Sequence, residues 1–127
     1  MESAAAKRVV VNVISDVVCP WCYIGKRTIE LAAAEAHVSV DLRWHPFQLD
    51  DTIPVDQSQD KMEVYTKKFG ARAKELVADP NNMLNKRGRP MGIAFEYFPG
   101  SKVFNTRRAH RLLQYALQKG GSELQNR

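Results

Sequence analysis

The chain holds two cysteines, Cys19 and Cys22, and they enclose Pro20 and Trp21. Thiols at this spacing meet across one helical turn, so the pair can cycle between dithiol and disulfide. Ahead of it runs Arg8-Val9-Val10-Val11-Asn12-Val13-Ile14, a β-branched stretch that suits a strand buried on both faces. After it, good helix formers fill Thr28 to Ala36, and Ile24, Thr28, Leu31, Ala32 and Glu35 recur at helical intervals. The cysteines therefore fall where a strand hands over to a helix. Free N–H groups and the positive end of the helix dipole favour an anion at that point. Cys19 is then the attacking thiol and Cys22 the resolving one. Pro20 suits a first helical turn because its missing N–H has no partner there anyway. Trp21 offers a flat apolar surface to a peptide or thiol partner.

Other chemistries fit the pair less well. A zinc site needs more ligands, but no second cysteine pair exists, and His37, His45 and His110 lack a His-x(3–5)-His spacing. No metal is expected. Inert buried thiols are at odds with a proline and a tryptophan between them, and a static disulfide is at odds with so short a loop.

The surrounding elements follow from periodicity. Residues 38–44 alternate apolar and polar as a second strand does, which makes a right-handed βαβ unit with the first strand and its helix. Residues 50–60 read as a loop. From about Asp60, Met62, Tyr65, Phe69, Ala73, Leu76 and Val77 mark a helix that ends at Asp79-Pro80-Asn81-Asn82. Residues 85–104, with Ile93, Phe95, Tyr97 and Phe98, are expected to be extended or irregular. Asn105 reads as an N-cap, Ala109, Leu112, Leu113, Ala116 and Leu117 as an apolar stripe, and Gly120-Gly121 as a C-cap. Ser122 to Arg127 resembles the start of another helix.

With 127 residues, 44% hydrophobic and 26% charged, the chain reads as one soluble globular domain. Its formal charge of +5 is spread over Lys67-Lys68, Lys86-Arg87 and Arg107-Arg108 rather than gathered on one face, which argues against a nucleic-acid partner. No apolar run reaches the ~18 residues of a membrane span. Two cysteines do not make a secreted disulfide framework, so a cytoplasmic address is expected, with an organelle as the alternative.

Ser15-Asp16-Val17-Val18-Cys19-Pro20-Trp21-Cys22-Tyr23-Ile24-Gly25 after a strand resembles the DsbA-like thioredoxin superfamily, and within it the FrnE-like branch. Arg43-Trp44-His45-Pro46-Phe47-Gln48-Leu49, Tyr65 with Lys68-Phe69-Gly70, and Asn105-Thr106 with Ala109-His110-Arg111-Leu112-Leu113 extend the likeness in order. The resemblance covers about residues 9 to 121. It implies an α/β, thioredoxin-like fold: a βαβ portion over residues 1–52 and a helical insertion over 53–127. The activity implied is disulfide exchange through Cys19 and Cys22, supported by Pro20 and Trp21. The substrate is a thiol or disulfide protein or a small thiol, with glutathione a conceivable co-substrate and no other cofactor. His45, Pro46, Phe47 and Asn105 fall where relatives line the substrate or glutathione cleft. His110 reads instead as a satisfied interface histidine.

The related 2-hydroxychromene-2-carboxylate isomerases and kappa-class glutathione transferases carry Ser at the position of Cys19, so both cysteines favour redox work over isomerisation. In the family, later strands complete the sheet, one of them after a cis-proline that faces the cysteines. Prolines 20, 46, 54, 80, 90 and 99 occupy no such place, and no residues after Gly121 can form those strands. The chain is accordingly expected to be the N-terminal portion of a longer enzyme. A short protein that completes its sheet as a homodimer and an inactive binding module are the alternatives.

Overall fold

Strand β1 (Arg8–Ser15) and strand β2 (Ser39–Pro46) pair in parallel, with Arg8 opposite Ser39 and Ser15 opposite Pro46. Helix α1 (Pro20–Glu35) makes the crossover between them. This is the expected βαβ unit, seen in a computed structural model that describes residues 7–97 and 100–127. Phe98 and Pro99 lie outside the described residues.

The expected burial of β1 on both faces does not hold. Val9 and Val10 are about half exposed and Ile14 is 72% exposed. The β-branched run encodes a strand, but burial needs neighbours. Among the described residues, β1 has only β2 to pair with.

The region after β2 departs from its sequence reading in three places. Ser58–Asp60, expected to be loop, is a short strand (β3). It pairs antiparallel with β4 (Lys102–Phe104), an extended part of the stretch expected to be extended or irregular. Three-residue strands are too short to show a period, and their partners lie far apart in sequence. The long helix expected from Asp60 is two helices, α2 (Lys61–Phe69) and α3 (Arg72–Ala78). Gly70 separates them at φ 59°, ψ −134°, a conformation that costs a glycine little and stops a helix. Asn82, expected only to end a helix, accepts from the Asn85 N–H and so starts α4 (Met83–Gly88).

A 3₁₀ turn (Arg89–Met91) then leads into a segment that Asn85 holds by two hydrogen bonds to the Phe95 backbone, at 2.8 and 2.9 Å. That clamp delivers Phe95 and Tyr97 to the small core formed by Ile24 of α1 with Leu84 and Ile93. Tyr23 meets Phe95 edge-on at 6.3 Å. The insertion therefore braces the helix that carries the cysteines.

Helix α5 (Arg107–Gln125) is broken at Gly121 (φ 67°, ψ −167°), where the sequence placed its C-cap. Ser122 to Gln125 form the following turn, as expected. The apolar stripe does not dock as a unit, for Leu112 is 68% exposed while His110 is buried. Leu113, Ala116 and Leu117 are partly buried, and polar side chains add direct bonds to β2. Gln125 bonds both the N–H and the carbonyl of Trp44, Gln114 donates to the same carbonyl, and Asn126 donates to that of Leu42. Side-chain amides thus occupy backbone groups of β2 as a neighbouring strand would.

Beside that edge, the Ser122 hydroxyl with Arg43 and Arg8 holds the Asp41 carboxyl well below the usual carboxylate range. A carboxyl depressed in the folded state contributes stability that is whole above its ordinary value near ~4 and lost as pH falls through the folded one. Asp41→Asn should flatten the acid limb of a stability–pH curve below about pH 4, read by urea denaturation at each pH. An unchanged limb would show that other carboxylates carry it.

Candidate active site

The loop between β1 and α1 is short and tied at both ends. The Cys19 N–H donates to the Asp16 carbonyl at 3.1 Å, and Cys19 itself is the N-cap of α1, with Pro20 in the first helical turn. The Cys22 N–H closes that turn on the Cys19 carbonyl at 3.1 Å. Both cysteines are free and partly accessible. This is the junction read from the sequence, and the reasons are local: a β-branched run ends, and a proline preset for the first turn begins the helix.

The two thiols differ in surroundings. Burial pushes the Cys22 thiol up, and its hydrogen bond to Cys19 adds to the rise; the Asp16 backbone and the Ser15 side chain pull partly the other way. Cys19 opens onto a groove of about 290 Å³ between the βαβ unit and the insertion. Its walls are largely apolar and include Trp21, Ile53, Tyr65, Phe69 and Phe104. Burial raises the Tyr65 phenol and pushes that of Tyr97 up to about 12, and the Cys19 charge reinforces both shifts. Both tyrosines are thus within electrostatic reach of the sulfur and stay neutral hydroxyls.

Beneath the loop sits a polar pair that the sequence reading did not assign to the site. Asp16 is 3% exposed and accepts from the Leu49 N–H at 2.9 Å through Oδ2. Its Oδ1 lies 2.9 Å from His110 Nε2, which also reaches the Phe47 carbonyl at 3.1 Å. Two acceptors around one nitrogen mean that Nε2 carries the proton. A small cavity touches Cys19, Cys22, Asp16 and His110 together. His110 is a satisfied interface histidine, as its sequence suggested, but the interface it satisfies is the floor of the cysteine site.

The other residues singled out from sequence are not gathered beside Cys19. His45 bonds Asn12 at 2.8 Å and lines a polar depression with Arg8 and Arg43. Pro46 and Phe47 line a separate hollow against α5 with Arg107 and Tyr115. Asn105 is a clamp: Oδ1 takes the Arg107 N–H at 2.9 Å, and Nδ2 donates to the Ile53 carbonyl at 2.6 Å. It caps α5 from one residue before the N-cap, which is Thr106. Trp21, about half exposed, flanks the groove. No cluster of His, Cys, Asp and Glu fit to hold a metal ion occurs among the described residues, and none of their helices is long and apolar enough to cross a membrane.

A probable DsbA oxidoreductase from Streptomyces coelicolor has a crystal structure that superposes with a TM-score of 0.73 at 30% sequence identity. The match covers 90% of this chain and 49% of that one, so the chain spans about half the length of that relative. No curated protein matches the chain. The family model of the DSBA-like thioredoxin domain matches residues 10–127, and with the thioredoxin-like α/β fold and the Cys19–Cys22 junction it places this chain in that family.

Proposed function

We propose that the protein exchanges disulfides through Cys19 and Cys22, with Cys19 attacking. The observation that carries this is the asymmetry of the pair: Cys19 caps a helix and opens on an apolar groove, whereas burial holds the Cys22 thiol protonated. The Cys19 thiolate attacks one sulfur of a substrate disulfide. A Cys19–substrate bond forms, the substrate S–S bond breaks, and the departing thiolate takes up a proton. Cys22 then loses its proton and attacks Cys19 Sγ, which releases the second substrate thiol and leaves Cys19 and Cys22 joined. Two electrons have passed to the substrate. The reverse sequence oxidises a dithiol.

The motif Ser15 to Gly25 and the order of the later motifs favour the FrnE-like branch, and the low cysteine count favours a reducing compartment such as the cytoplasm. The partner is a thiol or disulfide protein or a small thiol. Cys19→Ser should abolish reduction of insulin by dithiothreitol-recycled protein while leaving the urea midpoint unchanged. Undiminished activity in that variant would overturn the assignment.

A further inference from the structure

The groove beside Cys19 holds a cation that has no charge partner among the described residues. Lys61, the first residue of α2, lines it together with Cys19 and Trp21. Its Nζ sits 3.9 Å from the ring centroid of Tyr97 and 6.0 Å from that of Tyr65. Among the described residues no carboxylate lies within ion-pair distance of it. The neighbouring Asp60 is engaged in capping α2 through the Glu63 N–H at 3.0 Å. The other acids on the groove are also taken, Asp50 by Lys68 at 3.3 Å and Asp16 by His110 at 2.9 Å. Exposed Lys102 adds a second positive charge at the rim, without an ion-pair partner among the described residues.

This arrangement is costly for the protein alone. Burial lowers the pKa of Lys61, and a positive side chain at a helix N-terminus opposes the helix dipole. The faces of Tyr97 and Tyr65 recover part of that cost by cation–π attraction. A ligand carboxylate seated there would pair with a charge already partly desolvated and held over Tyr97, conditions that strengthen a charge-assisted hydrogen bond.

We propose that the groove selects an apolar peptide segment carrying a carboxylate, which pairs with Lys61 while the rest of the segment lies along Trp21, Ile53 and Phe104. The substrate of the exchange reaction is then a protein whose reactive cysteine has an acidic side chain nearby in an otherwise apolar stretch. This rests on the disulfide-exchange reading for its biological meaning, but the binding itself needs no redox step.

The test uses the full chain as the Cys19→Ser/Cys22→Ser double variant, so that no exchange can occur. Short apolar peptides centred on serine are titrated against it and followed by tryptophan fluorescence. In one set a single glutamate is walked along the sequence, and in the other glutamine takes its place. At one position glutamate should bind about tenfold more tightly than glutamine, the scale of one charge-assisted hydrogen bond. Lys61→Met keeps the stem on Tyr97 and should erase that preference, whereas Lys61→Arg should retain most of it. Equal binding of both sets, no binding of either, or a preference that survives Lys61→Met would overturn the proposal. None of these results bears on the Cys19→Ser insulin assay, so failure of the groove and failure of the redox assignment are told apart.

Discussion

Cys22→Ser should convert the protein from a turnover catalyst into a trap. Cys19 can still attack a substrate disulfide, because its position at the start of α1 owes nothing to the Cys22 side chain. What is lost is the neighbouring thiol that resolves the adduct. That thiol acts within the molecule, so its replacement by bulk dithiothreitol forfeits an effective concentration that slows release by at least about 100-fold. A disulfide-linked adduct on Cys19 should accumulate, visible as a mass increase under non-reducing conditions and absent after reduction. In the wild type the same step carries a pH signature. Burial holds the Cys22 pKa above its ordinary value, so its thiolate fraction at neutral pH is small and grows with pH. Release of a preformed adduct should accelerate by roughly tenfold per pH unit until the pH passes the raised value. A release rate indifferent to pH from neutral upward, or full turnover in Cys22→Ser, would remove Cys22 from the resolving role.

Asp16→Ala should cost about 3 kcal/mol, the range for removing one partner from a buried, hydrogen-bonded pair. The carboxylate holds three pieces of chain together: its own loop before Cys19, the Leu49 N–H after β2, and His110 of α5. Alanine leaves the Leu49 N–H without its acceptor and the buried His110 Nε2–H with only the Phe47 carbonyl. Asp16→Asn keeps one of the two acceptor oxygens but turns an NH2 towards the other donor, and should lose less than alanine, about 2 kcal/mol. The urea midpoint reads the stability loss, and a double-mutant cycle with His110→Ala reads the coupling. Because the two side chains share one contact, the double variant should be more stable than the sum of the single losses implies. Additive losses would mean that Asp16 works through Leu49 alone. The exchange rate should fall along with stability, since the loop that Asp16 anchors is the one that seats Cys19.

The parts of the molecule legible in the sequence are those whose cause is local. A β-branched run, a proline at a first helical turn, an alternating stretch and a glycine pair each act over a few residues. They locate β1, α1, β2 and the break in α5 within a residue or two. The strands β3 and β4 escape such reading because a three-residue strand exists only by virtue of its partner. The stripe on α5 misleads for a related reason. Periodicity names the apolar face, but the helix docks on the edge of β2, where unpaired backbone groups reward glutamine and asparagine more than leucine.

The site divides the same way. Cys19 and Cys22 declare themselves by spacing and by the junction they occupy, and this much the sequence alone determined, together with the thioredoxin-like class of the fold. The apolar groove, the Asp16–His110 floor and the placement of Lys61 over Tyr97 became visible only when residues scores of positions apart were brought together. An aspartate before a cysteine motif looks like loop chemistry until α5 closes over it, and a lysine at a helix start looks solvated until Tyr97 covers it. Burial and pairing are properties of neighbours, and tertiary structure alone decides who the neighbours are.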